Sequence, residues 1–451
     1  MNCIGSLASS PPIPATRPCM RAIRKRGKVC NGPRTAVRRG VKEQGNTMRT
    51  LVLGIARRYN QVRKRRSAYR GYPRVYKKSG REAMNRAVKC RIEPNKGQIA
   101  LFSKTFGCCR FLYNRMLTER LTAEMTGEYV RTTPAMYKKD FPWLKEVDSL
   151  ALCNAKLHLD EAFRKYKSEK GAGLPRYKSK HHSRQSYTTN LVNNNIRLEG
   201  KKLRLPKVGP VRIRVHREIP EEWKLKSVTV SKEASGKYYA SILYEVPESE
   251  SQAEGKDGEK KYLGIDYAMN GLAVMSDGKR ADYPKFFRQA EERLAREQRK
   301  LSRCEKRSRN YVKQKKRVAK VHEKIRNQRR DYLHKLSRSL ADGYDIIGVE
   351  DIDMKTMSRS LHFGKSVMDN GFGMFRTMLA YKLEERGGEL IRVGRNFPSS
   401  KRCSCCGRIK EDMTLADRIY ICDCGNVMDR DVNAAINIRQ EAMRLKSLVN
   451  S

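Results

Sequence analysis

Residues 261–279, KYLGIDYAMNGLAVMSDGK, combine two short apolar runs with two turn signals. An Asn-Gly pair at 270–271 separates the runs and an Asp-Gly pair at 277–278 follows the second, so the stretch predicts a β-hairpin. The first run contains Asp266, an unusual residue inside an apolar strand. A buried ionised carboxylate is costly unless it is paired or binds a cation, so Asp266 is a candidate functional residue.

The segments after this hairpin alternate between helical and strand patterns. Residues 287–340 are strongly helical with a break near 307–310, which predicts a basic helical hairpin. Two short apolar strands, YDIIGVED at 344–351 and ELIRVG at 389–394, flank a helix at 371–388 that ends in glycine. Strands separated by helices indicate an α/β sheet.

The first half of the chain has a different pattern. Residues 85–94, NRAVKCRIEP, alternate apolar and charged side chains, which is typical of a strand with one buried face. Asn95 and Gln98 form a helix-start signal, and apolar residues at helical spacing follow it. Short alternating runs between 186 and 247 then predict antiparallel strands. We expect these strands to close with the first one into a small β-barrel that carries a helical insertion.

Positive charge dominates the composition. The 451 residues contain 98 Lys and Arg against 48 Asp and Glu, a formal net charge of +50. The repulsion among so many positive charges is expected to be neutralised by a bound polyanion when the protein functions. Nucleic acid is therefore the predicted partner. The alternatives are a basic surface that is merely solvated and an anionic membrane, although no run approaches the roughly 18 apolar residues of a spanning helix. We expect a cytoplasmic protein associated with the nucleoid.

Two segments lack the pattern of a folded core. Residues 1–83 carry 22 basic side chains against two acids, which predicts a disordered extension, either a transit peptide or the product of a start assigned too far upstream. Residues 247–260, PESESQAEGKDGEK, predict a linker. The predicted domains are 84–250 for the barrel with its helical insert, 259–395 and 428–451 for the two parts of the α/β domain, and 396–427 for a cysteine-rich unit between them.

Three acids stand at comparable places in the α/β half. Asp266 lies within a strand, Glu350 ends another, and Asp431 precedes the small-residue helix VNAAINI at 432–438. Alternatives remain, since Asp266 can be a turn or edge acid, Glu350 can belong to a loop that tolerates acids, and Asp429 competes with Asp431. Carboxylates from separate elements are typical Mg²⁺ ligands, and two such ions about 4 Å apart can hydrolyse a phosphodiester without histidine or serine. The three acids therefore predict a magnesium site.

Cysteines are concentrated in one place, where five of the thirteen lie between 403 and 424. Cys403 and Cys406 stand two residues apart, and Cys422 and Cys424 follow after a loop of 15 residues. Four thiolates predict a structural Zn²⁺ site, because a catalytic zinc needs an open position. The second pair is one residue tighter than the usual C-x-x-C spacing, and the spare thiol of Cys405 competes with Cys406 as a ligand.

Four motifs follow one another along the chain, namely GIDYAMNGLAV at 264–274, GVEDIDMK at 348–355, FPSSKRCSCCG at 397–407 and DRDVNAAINI at 429–438. Together and in this order they resemble the TnpB proteins of insertion sequences and the related miniature type V CRISPR effectors. The resemblance runs from about residue 84 to about residue 440 and includes the first half, where LPRYKSK at 174–180 is similar to the family's guide-RNA and target-binding region.

The resemblance implies a small N-terminal β-barrel, called the wedge, followed by an RNase H-like RuvC nuclease domain with an inserted zinc ribbon. It implies a bacterial or archaeal RNA-guided DNA endonuclease that holds a guide RNA, finds target DNA by base pairing and cuts it. The implied catalytic acids, which would hold Mg²⁺, are Asp266, Glu350 and Asp431. The implied zinc ligands are Cys403, Cys406, Cys422 and Cys424.

Other functions remain as alternatives. A nuclease-inactive, RNA-guided DNA-binding repressor would retain the basic half and the ribbon, but it would not need three acids. An accessory protein of DNA transposition is also possible, whereas a protein-only transposase is disfavoured because its related fold uses acids in the order Asp, Asp, Glu. A ribosomal or structural RNA-binding protein with a zinc ribbon would lack a reason for the acids. Cutting of guide-matched DNA separates an enzyme from all of these binding proteins.

Overall fold

The structure, a computed structural model, describes residues 84–127, 132–169, 171–247, 259–268, 271–353, 369–414 and 417–450. The predicted extension at 1–83 and most of the predicted linker at 247–260 lie outside these ranges. Within the described ranges, no helix is both long enough and apolar enough to cross a membrane.

The first half forms one seven-stranded antiparallel sheet. Its strands are β1 (Met84–Glu93), β2 (Gln185–Asn190), β3 (Arg197–Glu199), β4 (Lys202–Leu205), β5 (Gly209–Arg214), β6 (Lys224–Lys232) and β7 (Tyr238–Val246). They are arranged in the order β2-β6-β7-β1-β5-β4-β3, and all neighbours are antiparallel. The first described strand therefore lies in the middle of the sheet. The predicted alternation is seen most clearly in β7, where every second side chain is buried.

A helical insertion separates β1 from β2. The Asn95 side chain accepts a hydrogen bond from the Gln98 backbone N–H at 2.9 Å, and the Gln98 side chain accepts one from the Asn95 backbone N–H at 3.0 Å. This capping box starts the first helix, as predicted. Phe102 on that helix stacks on Tyr238 of β7 with ring centroids 5.8 Å apart, so the helix covers the sheet. The insertion contains α1 (Lys96–Thr126), α2 (Tyr137–Asp140), a 3₁₀ turn (Pro142–Glu146) and α3 (Ser149–Ser168).

The second half contains a five-stranded mixed sheet. Its strands and the helices between them are β8 (Tyr262–Tyr267), β9 (Ala273–Met275), β10 (Arg280–Ala281), α4 (Phe286–Ser302), α5 (Arg309–Gly343), β11 (Ile346–Glu350), α6 (Phe372–Glu384) and β12 (Glu389–Val393). The strands are arranged in the order β10-β9-β8-β11-β12. The predicted hairpin pairs β8 with β9 antiparallel, whereas β8, β11 and β12 run parallel. Parallel neighbours need crossover connections, and helices precede both β11 and β12.

The last helix, α7 (Arg430–Asn450), lies across β8 and β11 at very close range. A Cβ atom on Gly264 of β8 would lie 1.9 Å from the backbone oxygen of Ala435, and one on Gly348 of β11 would lie 2.8 Å from the Cβ of Ala442. Only glycine fits at these two positions. Before α7 comes the cysteine-rich unit predicted at 396–427, which we call the ribbon. It contains β13 (Ile419–Ile421), which pairs with β14 (Val427–Asp429), and β14 extends two residues beyond the predicted boundary.

Polar contacts join the first sheet to the helical hairpin of the second half. Glu323, buried on α5, accepts hydrogen bonds from Lys237 Nζ at 3.0 Å and from the Tyr239 hydroxyl at 3.1 Å. Glu233, in the turn between β6 and β7, pairs with Arg326 of α5 at 3.3 Å. This turn is therefore fixed on α5. The predicted fold class, an α/β domain together with antiparallel strands that carry a helical insertion, is confirmed. Among the described residues no pairing joins the outer strands β2 and β3, so backbone hydrogen bonds do not close the β-barrel that the strand pattern predicted.

Candidate functional site

The three predicted acids come from three different elements that meet at one edge of the second sheet. Asp266 is next to last in β8, Glu350 is the last residue of β11, and Asp431 lies in the first turn of α7. Because β8 and β11 are parallel neighbours with Ile265 opposite Val349, Asp266 and Glu350 follow side by side. The close packing of α7 on both strands adds Asp431, and all three side chains are half-buried.

The electrostatics of Asp266 reflect this convergence. Burial raises the pKa of Asp266 well above its ordinary value, and the negative charges of Glu350 and Asp431 raise it further, while the nearby charge of Arg430 opposes the shift. Glu350 and Asp431 are thus close enough to repel the charged form of Asp266. Such a group favours a bound cation, because a cation removes the repulsion and stabilises all three ionised forms.

Asp429 and Asp431 have different surroundings, although only one residue separates them. One oxygen of Asp429 accepts hydrogen bonds from the backbone N–H groups of Asp431 and Val432, both at 3.0 Å, as an N-cap of α7 does. Its other oxygen accepts from Arg280 at 2.7 Å. Asp431 lies 3.3 Å from the Arg430 guanidinium and 4.0 Å from that of Arg280. Asp429 therefore has a structural role at the helix start.

Four cysteines of the ribbon form a compact cluster. The Sγ atoms of Cys403, Cys406, Cys422 and Cys424 all lie within 4.8 Å of one another, and two of the pairs are 3.6 Å apart. A tetrahedron with Zn–S bonds of about 2.3 Å has sulfur atoms about 3.8 Å apart, so the cluster fits a structural zinc ion. The exposed thiol of Cys405 is not part of the cluster. Among the described residues, this is the one group of three or more metal-binding side chains drawn so close together.

Cys403 is the buried member of the cluster and is set up to be a thiolate. Burial alone would raise its pKa, but hydrogen bonds from the backbone N–H groups of Cys406 and Cys405 and from the side chain of Asn426 lower the pKa of Cys403 to about 6. The Asn426 amide donates to the Cys403 sulfur at 3.4 Å. A thiolate is the form that binds zinc, and hydrogen bonds of this kind orient metal ligands.

We expect Cys403→Ser or Cys422→Ser to lose the zinc ion, because three thiolates bind it far more weakly than four. Elemental analysis of purified protein should give about one zinc per chain for the unaltered protein and much less for these variants. Cys405→Ser is the matched control, and its zinc content should be unchanged. Full zinc in Cys406→Ser together with loss in Cys405→Ser would transfer the ligand role to Cys405.

Sequence reasoning missed three polar residues that join the ribbon to the acids. Ser399 donates a hydrogen bond to the Glu350 carboxylate at 2.6 Å. Two buried asparagines of α7, Asn433 and Asn437, donate to the backbone oxygen of Arg402 at 2.7 and 2.6 Å. The two asparagines stand four residues apart among small apolar residues, so the sequence could have indicated that both lie on one buried face of the helix. Nothing in the local sequence distinguishes Ser399 from Ser400.

Family models match three parts of the chain. The model described as "Probable transposase" (OrfB_IS605) matches residues 241–361, and the model "Cas12f1-like, TNB domain" matches 372–438, which contains the ribbon and the start of α7. A third model, "Helix-turn-helix domain" of OrfB_IS605, matches 84–123, where the structure has β1 followed by most of α1. The "Probable transposase" match begins within β7 of the first sheet and includes both β8 and β11.

Curated proteins are similar over most of the chain. A Streptomyces pristinaespiralis protein named "Putative RNA-guided DNA endonuclease" is 35% identical over 366 residues, which are 79% of this chain and 89% of that protein. This long match decides the family. The chain belongs to the TnpB family. Escherichia coli InsQ, which bears the same description, is 29% identical over 78% of this chain and 91% of InsQ.

The chain is also similar in fold to a solved structure. A cryo-EM structure of a Cas12f1 complex with single-guide RNA and target DNA matches with a TM-score of 0.50 at 13% sequence identity, over 79% of this chain and 99% of the Cas12f1 chain. At this identity the likeness concerns the fold alone. It agrees with the α/β domain and inserted ribbon that the resemblance implied.

Proposed function

We propose that this protein is a transposon-associated, RNA-guided DNA endonuclease. The single observation that carries the proposal is the convergence of Asp266, Glu350 and Asp431 at one sheet edge, where burial and the charges of the other two acids raise the pKa of Asp266. A protein that only binds nucleic acid gains nothing from this costly arrangement. The names of the curated relatives point to the same activity.

The three acids are the proposed catalytic residues and the proposed ligands of Mg²⁺. Hard carboxylate oxygens from separate elements match the ligands that Mg²⁺ prefers, and their clustered negative charge fits a divalent cation. When bound, the ions supply Lewis-acid activation of water for phosphodiester hydrolysis. The protein's part is to fix the carboxylates through β8, β11 and α7. A zinc ion bound by the four cysteines of the ribbon would have no open position and would hold the segment that leads into α7.

The proposed partners are a guide RNA and its target DNA. A net charge of +50 suits a complex with many phosphates, and the Cas12f1 neighbour was solved with both kinds of nucleic acid. We assign guide and target binding to residues 84–250, the nuclease domain to 259–395 and 428–451, and the zinc ribbon to 396–427. The ion pair between Glu233 and Arg326 of α5 holds the proposed nucleic-acid-binding part against the nuclease half.

The test begins with RNA that copurifies with the full chain. We expect a discrete RNA whose variable end defines a target, and a duplex that contains this target should be cut only in the presence of Mg²⁺. Binding of matched DNA without cuts, in protein whose three acids are intact, would support the repressor instead. Absence of any specific RNA would contradict guided recognition altogether.

The third acid can be assigned by comparing two neighbours. Asp431→Asn should lower the cleavage rate at least 100-fold, because it removes a proposed metal ligand. Asp429→Asn should stay within a few-fold of the unaltered protein, because asparagine is an equally good N-cap and the ion pair with Arg280 is exposed. Both rates would be measured on guide-matched DNA with single-turnover kinetics. The reverse ranking would move the catalytic role to Asp429.

A further inference from the structure

Ser399 makes a short, buried contact with one of the proposed metal ligands. Its hydroxyl donates to Oε1 of Glu350 at 2.6 Å, a distance typical of a hydrogen bond from a hydroxyl to an ionised carboxylate. Only 4% of Ser399 is exposed, whereas the neighbouring Ser400 is exposed to solvent. Two adjacent serines therefore have opposite environments, and only the first faces an acid.

The backbone of Ser399 is itself held by α7. The buried Asn437 side chain donates to the Ser399 carbonyl oxygen at 2.8 Å and to the Arg402 carbonyl oxygen at 2.6 Å. A continuous path of hydrogen bonds thus runs from Glu350 through Ser399 to Asn437. Asn437 lies on the helix that carries Asp431. Hydrogen bonds therefore connect Glu350 and the helix of Asp431 to the same short segment, residues 399–402.

Glu350 needs such a contact because its own backbone position does not fix its carboxylate. It is the last residue of β11, and residues 351–353 after it have no regular secondary structure. Three side-chain torsions separate its carboxylate from the backbone, and each free torsion carries entropy that metal binding would have to remove. A hydrogen bond to one carboxylate oxygen restricts these torsions before any ion arrives and leaves the second oxygen free of Ser399.

We propose that Ser399 is a positioning residue that preorients Glu350 for metal binding and links this orientation to α7 through Asn437. The inference rests on the proposed function, because it takes Glu350 as a metal ligand. Ser399 itself touches no reacting atom. Its effect should therefore appear in the affinity for the divalent ion, not in the rate of the chemical step once the ion is bound.

The experiment compares Ser399→Ala with Ser399→Thr and Ser400→Ala in the full chain bound to its RNA. Mn²⁺ alone is the probe, and its binding is measured from the electron paramagnetic resonance signal of the free ion. We expect Ser399→Ala to bind Mn²⁺ about 10- to 100-fold more weakly, as is usual when a residue that orients a ligand is lost. Ser399→Thr retains a hydroxyl and should largely restore the affinity, and Ser400→Ala should match the unaltered protein.

Cleavage against Mg²⁺ concentration supplies the second measurement. For Ser399→Ala, the half-saturating Mg²⁺ concentration should rise by the same factor, while the rate at saturating Mg²⁺ stays within about threefold. Unchanged Mn²⁺ affinity would overturn the inference and leave the proposed function intact. A rate loss that saturating Mg²⁺ does not restore, with a lowered Tm, would reduce Ser399 to a structural contact. An unaltered protein that binds RNA and target but never cuts would instead overturn the proposed function.

Discussion

Asp266→Asn is expected to abolish Mg²⁺-dependent DNA cleavage, by at least 1000-fold, while RNA binding is retained. Asparagine has nearly the same shape but offers a neutral amide in place of a charged metal ligand, and the proposed mechanism has no other route to activate water. Single-turnover cleavage of guide-matched DNA measures the loss, and copurified RNA shows that the complex still forms. Cleavage within tenfold of the unaltered rate would remove Asp266 from the site.

The same substitution should stabilise the metal-free protein. The folded-state pKa of Asp266 is raised, so the stability of the metal-free protein falls as the pH rises from the unfolded-state pKa through the raised value. Above that window the charged side chain opposes folding, and the neutral asparagine removes this cost. A gain of about 1 kcal/mol would raise Tm by roughly 2–4 °C at pH 7 in the presence of a chelator.

Asp277→Asn is a control for which the opposite change in Tm is expected. Against the effect of burial, hydrogen bonds from Lys279 and the Tyr344 hydroxyl lower the pKa of Asp277. Its ionised form therefore contributes stability above the unfolded-state pKa, and this contribution is lost as the pH falls through the lowered value. We expect Asp277→Asn to lower Tm slightly at pH 7 and to leave cleavage unchanged. A lowered Tm in both variants would contradict the repulsion that we assign to Asp266.

Gly264→Ala is expected to have the largest effect on folding. Its new methyl group would lie 1.9 Å from the Ala435 oxygen and 2.6 Å from the Arg439 nitrogen, which are both backbone atoms that cannot rotate away. The helix α7 must then move off β8, and Asp431 moves with it. We expect a loss of about 3–5 kcal/mol, seen as a fall in Tm of roughly 10 °C or more, together with loss of cleavage.

Gly373→Ala is the matched control for this substitution. Gly373 lies in the first turn of α6, and nothing stands within 4 Å of the position that its Cβ would take. Because alanine favours helix more than glycine does, this variant should be as stable as the unaltered protein or slightly more stable. If thermal unfolding gave equal Tm values for both alanine variants, the close packing of α7 on β8 would not be what holds the helix.

Local sequence patterns were sufficient to predict the main helices and strands of the fold. The Asn-Gly pair at 270–271, the Asn95 and Gln98 capping signal and the period-2 alternation of β7 each express a preference that acts over a few residues. The zinc cluster was predictable for a similar reason. Cys403 and Cys406 share one short turn, Cys422 and Cys424 share another, and metal chemistry demands that two such turns meet.

The sequence by itself also determined the charge of the chain, and hence the nature of its partners, and it indicated three candidate acids. Only the tertiary structure placed Ser399 on Glu350. The physical reason is that Ser399 and Glu350 lie 49 positions apart and meet because α7 packs on two glycines. Such contacts depend on the fit of distant surfaces, which no local periodicity records.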